Sequence, residues 1–297
     1  KYIEDKKNVR RDTLKGDVQS IILIEDTPRY YSSILPMLYK IIVYHTKELI
    51  DESLNDTQKL LHLRRRPKIL LAQNYEDAIS YFDTYKNNLL GIISDIQFPK
   101  LGKKKMKAGL EFSEYVQSNH DGIPIILQTN DMSIEDEALN ITDLLLNKNS
   151  STLYYDLKDS IIKNFGFGDF IFKNDDQNKD FIRAKNINEL LDGIKSISSK
   201  SLVYHASRNH FSNWLAVRGE FKLANEFRKL KNSHFENVKE RRSYHISLLE
   251  ENLKISKQKF KLAQFKDKVS ESSNFIRIGK GSLGGKARGL AFLNENL

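Results

Sequence analysis

Five residues in the first half of the chain stand at the ends of apolar runs. Glu25 and Asp26 follow Val18–Ile24, Asp95 follows Leu89–Ser94, Thr129 closes Ile123–Gln128, and Lys148 closes Asp143–Asn147. Three carboxylates gathered in one place repel one another unless a cation lies among them. Oxygen ligands with open water positions suit Mg²⁺. A carboxylate beside such a metal can attack a phosphoryl group and become an aspartyl phosphate. A lysine neutralises charge on the phosphoryl oxygens and a hydroxyl donates a hydrogen bond to one of them. Each of the five residue types has a role in that chemistry. Asp95 taken alone has a second reading, as a strand-ending aspartate that caps a turn.

The five meet only if the runs that carry them are neighbouring strands. Leu89–Ser94 is a continuous apolar run, the pattern of a strand covered on both faces of a parallel sheet. Strands are expected over Val18–Ile24, Pro67–Ala72, Leu89–Asp95, Ile123–Thr129 and Asp143–Lys148. Between them the periodicity predicts helices. The first starts at Thr27-Pro28, a capping residue followed by proline at the first helical position, and runs towards Ser53, with Pro36 kinking it or marking its true start. A second piece covers Asp56–Leu63, ahead of Arg64-Arg65-Arg66. The others are Tyr75–Tyr85, Ala108–Asn119, Ile134–Asn140 and Ser151–Asn164. Strands alternating with helices at this spacing predict a doubly wound α/β domain with a five-stranded parallel sheet over residues 18–164. Ligands of such sheets sit beyond the carboxyl ends of the strands, where the five residues stand. Residues 1–17 are polar, without periodicity, and read as a leader. Lys100–Lys107 reads as a basic loop, either simply solvated or attracting a phosphate donor or an acidic partner.

Residues 18–164 resemble the receiver domain of bacterial response regulators. The resemblance is carried by Ile24-Glu25-Asp26-Thr27-Pro28, by Asp95 with Pro99 four residues on, by Gln128-Thr129 and by Lys148. It implies the flavodoxin-like receiver fold. It implies Mg²⁺ bound by Glu25, Asp26, Asp95 and the backbone carbonyl of Gln97, with Asp95 also the phospho-acceptor and Thr129 and Lys148 contacting the phosphoryl group. It also implies a histidine kinase or other phosphodonor as partner, with a homodimer one arrangement open to it. Two positions depart from the family pattern: Asn149 follows the lysine where proline is usual, and Leu145 occupies the place of the aromatic switch residue. Lys173 also ends an apolar run, but it lies too far from Thr129 for one helix and two short loops.

Beyond residue 164 a mostly helical α+β region is expected. A small unit spans 165–232 and a linking helix with its connector spans 233–273. Gly166–Phe172 and Phe181–Ala184 read as a β-hairpin around a polar tip. Asp175, Asp176 and Asp180 in that region lack the glycine and terminal glutamate of a calcium loop, so turn chemistry is expected. Helices follow over Ile187–Ile197, over Ser201–Leu230 with a break near His210, and over Glu236–Lys259, a charge-rich stretch able to bridge two domains. His205 and His210 are five apart, off a common helical face, which assigns them structural roles. Trp214, Leu215, Phe221, Leu223 and Phe227 are expected in the core.

The last stretch, 274–297, places a glycine-rich run after the strand Asn274–Ile278. Glycines allow close approach to phosphates, and a helix N-terminus favours anions. The run does not spell a P-loop, because position 280 is Lys where glycine is required. It resembles the opening of the ATP-grasp domain of pyruvate phosphate dikinases and phosphoenolpyruvate synthases, through Leu283-Gly284-Gly285-Lys286-Ala287 and Gly289-Leu290. That resemblance implies Lys286 as a ligand of ATP phosphates in the complete protein. The combination is similar to phosphoenolpyruvate-synthase-like proteins with a receiver-type domain in front, including the runs Tyr204-His205-Ala206 and Asn209-His210-Phe211-Ser212.

The totals narrow the classes. There is no cysteine, which excludes disulfides and thiolate metal sites. No apolar run reaches membrane-spanning length and no signal-peptide pattern opens the chain, so a cytoplasmic protein is expected. The first residue is Lys and the chain stops in mid-pattern at Leu297, the expectation for a piece of a longer protein. The net charge of +9 permits nucleic-acid binding, but the basic residues are scattered and no helix-turn-helix stands out. Three functions are therefore open: a regulatory receiver segment of a phosphotransferase that makes or uses phosphoenolpyruvate, a non-phosphorylated docking or dimerisation scaffold, and, last, a DNA-binding response regulator.

Overall fold

The structure is a computed structural model, and it describes residues 1–48, 66–120, 122–142, 144–173 and 182–259, with two short strands at 263–264 and 276–277. In chain order the first module contains α1 (Tyr2–Leu14), β1 (Ser20–Ile24), α2 (Pro28–Glu48), β2 (Lys68–Ala72), α3 (Tyr75–Tyr85), β3 (Leu89–Asp95), a hairpin of β4 (Phe98–Lys100) and β5 (Lys103–Lys105), α4 (Ala108–Asn119), β6 (Ile125–Thr129), α5 (Glu135–Leu139), β7 (Leu145–Asn147) and α6 (Leu153–Asn164). The five long-range strands form one sheet in the order β2-β1-β3-β6-β7, and every pairing is parallel. Counted within the sheet this is the 2-1-3-4-5 order of flavodoxin-like folds, the α/β fold expected for the receiver-like segment.

Apolar runs at β1, β2 and β3 form strands because both their faces are covered. Ile21 and Leu23 point into one core with α2 and α6, while Ile22 and Ile24 point into the other with Ala78, Phe82 and Phe112. The first core runs on without a break into the second half of the chain through Phe165, Phe167, Phe211 and Trp214. Gly91 makes this junction possible: a Cβ there would lie 2.1 Å from Cε1 of Phe165. The second half holds the antiparallel pair β8 (Phe170–Ile171) and β9 (Arg183–Ala184), then α7 (Ile187–Ser196), α8 (Ser199–Ser207), α9 (His210–Val217), α10 (Phe221–Lys229) and α11 (Val238–Lys259). The mostly helical region follows the sheet module, as expected.

Several expectations are corrected. Residues 1–17 are not a featureless leader, for thirteen of them form α1. That helix is held by Asp5, which is fully buried. Its carboxylate accepts from Arg66 Nη2 at 2.8 Å, Arg66 Nη1 at 2.9 Å, the Tyr39 hydroxyl at 2.8 Å and the backbone N–H of Ile69 at 3.1 Å. The basic loop is the β4–β5 hairpin, with Lys100 and Lys105 on Glu111 and Lys107 on Glu137. Pro36 lies inside α2, which runs through it to Glu48. The fifth strand is only Leu145–Asn147, and the stretch expected as one broken helix over Ser201–Leu230 is three. Phe221 is half-buried rather than core, whereas Trp214, Leu215, Leu223 and Phe227 are buried. The expected helix over 56–63, Arg64 and Arg65, the hairpin-tip aspartates and Lys286 lie outside the described residues. Among the described residues no helix is long and apolar enough to cross a membrane.

Candidate functional site

The tips of β1, β3, β6 and β7 deliver the sequence-expected residues to the carboxyl edge of the sheet. Glu25 continues β1, its N–H bonded to Ala72 O at 3.0 Å. Parallel pairing of β1 with β3 sets Ile24 beside Ser94, so Glu25 and Asp95 leave adjacent strands at the same level. Glu25, Asp26 and Asp95 each offer a carboxylate oxygen within 4.8 Å of the others. Glu25 and Asp95 are buried and Asp26 is half-buried.

Lys148 reaches into this group from the end of β7. Its Nζ lies 2.5 Å from Glu25 Oε2 and 2.8 Å from Asp95 Oδ2. The same ammonium sits 4.4 Å from the centroid of the Tyr30 ring, a cation–π contact from the first turn of α2. Backbone N–H groups hold the carboxylates from the other side. Thr27 N donates to Glu25 Oε1 at 3.2 Å and Ile96 N to Asp95 Oδ1 at 2.7 Å. Burial raises the affinity of Glu25 for its proton; Lys148 works against that, and the nearby Asp95 charge adds to it.

Thr129 is placed beside Lys148 by the backbone, since Lys148 N donates to Thr129 O at 2.7 Å. Its hydroxyl closes the following turn, donating to Asp131 O at 3.1 Å and accepting from Asp131 N at 3.0 Å. Gln97 lies in the bend between β3 and β4, two residues past Asp95. Lys148 contacts two of the three clustered carboxylates, and hard oxygens facing one another with excess negative charge are a donor set that accepts a divalent cation.

Two participants escaped the sequence reading. Tyr30 was given no role in the sequence, and only the fold brings it over Lys148. Gly109 opens α4 directly against the tip of β3: a Cβ there would lie 2.3 Å from Asp95 O and 2.8 Å from Ile96 Cα. Its N–H donates to Ile96 O at 2.9 Å, so the start of α4 buttresses the strand end that carries Asp95.

Away from this edge, the two histidines assigned to structure meet. α8 ends at Ser207 and α9 begins at His210, with Asn209 left-handed between them at φ 55°. The break turns the rings together, Nδ1 to Nδ1 at 3.0 Å. His205 Nε2 accepts from Lys173 N at 2.8 Å, so its proton is on Nδ1 and is donated to His210. Burial holds His205 down to about 3 and His210 down to about 4. Both stay neutral, in keeping with a structural role.

Residues 169–276, covering the hairpin and most of the helical region, match a family of unknown function (DUF5752). No curated protein matches the chain. Among solved structures it is similar to a response regulator receiver domain protein from Clostridium thermocellum, at 15% identity, over 48% of this chain and 90% of that one, with a TM-score of 0.34. It is similar to the phosphorylated cyanobacterial phytochrome response regulator RcpA at 15% identity, over 49% and 93% of the two chains, with a TM-score of 0.34. The Salmonella typhimurium response regulator RcsB aligns at 14% identity, over 76% and 98%, with a TM-score of 0.32. None of these findings bears on phosphoenolpyruvate synthases or pyruvate phosphate dikinases.

Proposed function

We propose that residues 18–164 form a regulatory receiver module in which Asp95 accepts a phosphoryl group in the presence of Mg²⁺. The observation that carries this reading is the placement of Lys148 Nζ between Glu25 and Asp95 at the carboxyl edge of the sheet, with Asp26 beside them. Glu25, Asp26 and Asp95 would hold the metal, with the Gln97 carbonyl as a further ligand. When bound, Mg²⁺ supplies positive charge for the carboxylates and the incoming phosphoryl oxygens.

The protein's own groups do the rest. Ile96 N–H fixes one oxygen of Asp95 and so orients the carboxylate. A carboxylate oxygen attacks phosphorus, and the bond from phosphorus to the donor's leaving group breaks with its electron pair. Lys148 then exchanges its contact with Asp95 for one with a phosphoryl oxygen. The Thr129 hydroxyl leaves Asp131 O and donates to another. Losing the lysine and hydroxyl contacts of the resting state is how phosphorylation would alter the β6 and β7 ends.

Intact-mass measurement after incubation with acetyl phosphate and Mg²⁺ tests the reading. A single phosphoryl adduct on the wild type, absent from Asp95→Ala and from the wild type in EDTA, is the expected result. An adduct that persists in Asp95→Ala overturns the assignment. The docking-scaffold reading is favoured by the Thr129 hydroxyl engaged in its own turn and by Leu145 at the switch position. No adduct, together with no Mg²⁺ binding by calorimetry, would establish that reading instead. The proposed target of regulation is a phosphotransferase of the phosphoenolpyruvate synthase class, with Lys286 as its ATP ligand; its support is sequence resemblance, in the glycine-rich run at 279–290 and the runs at 204–206 and 209–212.

A further inference from the structure

At the opposite edge of the sheet a cavity of about 930 Å³ lies between the sheet module and the helical region. Small-molecule sites typically occupy about 300–1,000 Å³. Its floor is made by residues that precede strands: Asp17 before β1, Asn88 before β3 and His120 before β6. Its roof comes from the ends of α8 and α10 and from α11.

The wall is cationic. Among the described residues Arg228, Lys229, Lys231 and Arg241 line it against a single acid, Asp17, with Lys229 also paired to Glu226 at 2.8 Å. Arg228 is the centre of this charge. Its guanidinium donates to Asn87 O, to Gln19 Oε1 at 3.2 Å and to Asn213 Oδ1 at 3.0 Å. All three acceptors are neutral, and among the described residues no carboxylate pairs with Arg228. These bonds use three of the five N–H donors of a guanidinium, which leaves donors for an anion. Removal from water without a counter-charge holds Arg228 down to about 10. Arg228 is half-buried and lines the cavity, and a partly desolvated cation without a counter-charge gains from an incoming anion.

The remaining chemistry of the wall narrows the ligand. Asn119 and Asn225 line the wall with their Nδ2 donating to Tyr115 O at 2.8 Å and to Asp17 Oδ1 at 3.5 Å, which gives their amide oxygens the role of acceptors for hydroxyl groups. Among the described residues the lining contains no Phe, Tyr or Trp, so these give no platform on which a nucleobase would stack. Two of the three non-glycine residues with positive φ among the described residues, Asp17 at 53° and Asn209 at 55°, also line it. Such backbone gathers where a binding surface over-determines it.

We propose that this cavity binds a small, hydroxyl-rich phosphate ester of the sugar-phosphate class. Arg228 takes the phosphate as a fork, Lys229, Lys231 and Arg241 surround it with positive charge, and the asparagine amides take the hydroxyls. The ligand would span both modules, because Arg228 already ties β1 and the start of β3 to α9 and α10.

Isothermal titration calorimetry on the full chain tests this with glucose 6-phosphate, AMP and inorganic phosphate. The expected result is saturable one-to-one binding of glucose 6-phosphate, at least tenfold tighter than either of the others. Arg228→Lys keeps the charge but loses the fork, and should weaken it tenfold or more. Arg228 also carries structural bonds, so the exposed pair Lys229→Glu with Lys231→Glu serves as a second variant, with the same loss expected. Absence of saturable heat with glucose 6-phosphate overturns the proposal, as does binding unchanged in the lysine variant. AMP or a single-stranded RNA oligonucleotide binding more tightly than the sugar phosphate would overturn the ligand class.

Discussion

Glu25 has its buried carboxylate on the ammonium of Lys148, which also reaches Asp95. Its affinity for a proton is raised in the folded state, first by burial. The unfolded chain releases that proton in the ordinary carboxylate range, while the folded chain retains it to higher pH. The contribution of Glu25 is therefore fully favourable below its unfolded pKa and is lost as pH rises through the folded one. In EDTA, the thermal stability of the wild type relative to Glu25→Gln, which mimics the protonated acid, should fall between pH 5 and pH 7.5. Melting curves at the two pH values check this, and parallel slopes would show that Glu25 is ionised in both states. The Glu25, Asp26, Asp95, Thr129 and Lys148 positions were all legible in the sequence, since each ends an apolar run. Tyr30 was not, because an aromatic at an amphipathic position carries no mark of what it will cover.

The elements that aim these residues meet with little clearance. Gly109 lets α4 start against the backbone of Asp95 and Ile96, where a Cβ would fall 2.3 Å from a carbonyl oxygen. Gly109→Ala must push the helix and the strand tip apart. A loss of about 1–3 kcal/mol is expected, the usual cost of overpacking, along with a weaker adduct yield from acetyl phosphate. A urea midpoint equal to wild type would show that the start of α4 yields without cost. The described helices of residues 18–164 were legible from their amphipathic spacing and the strands β1, β2, β3 and β6 from their continuous apolar runs, which match burial on both faces; the β4–β5 hairpin, with β5 made of lysines and exposed, carried no such mark. α1 was missed because its anchor is polar. Asp5 and Arg66 stand 61 positions apart, and nothing in a charged, aperiodic stretch tells a solvated aspartate from a fully buried one. Over Ser201–Leu230 the break expected near His210 is present at the left-handed Asn209, but a second break, at the left-handed Gly219 (φ 83°), is one that apolar spacing does not register.

At the scale of the molecule, the second half is built on neutral histidines. His205, His210 and His245 are held down to about 3, about 4 and about 4, chiefly by burial. Arg208 adds to this at the first two, Lys173 at His205 and Arg241 at His245. Above the ordinary imidazole range both states are neutral and nothing changes. As pH falls below about 6.5 the unfolded chain takes up protons that the folded one refuses, and stability declines. This runs opposite to the Glu25 contribution, and three groups outweigh one. The urea midpoint by circular dichroism should drop from pH 7 to pH 5, and His210→Gln should make the drop shallower. A midpoint flat over that range would mean the histidines reach water in the native state. The cavity around Arg228 could not be read from the sequence, since its walls come from distant polar segments that only the packing of the two halves brings together.

α1 has one more effect, on what the sheet can do to other chains. Outermost strands carry unused N–H and C=O groups and invite a strand from a neighbouring molecule to add on. β2 is such a border strand, and Asp5 takes the outward N–H of Ile69 while α1 lies along it. The first helix is therefore a guard as well as a brace. A chain trimmed back to Gly16 would expose a ready-made template beside an unpaired Arg66, and its failure would be self-association rather than simple loosening.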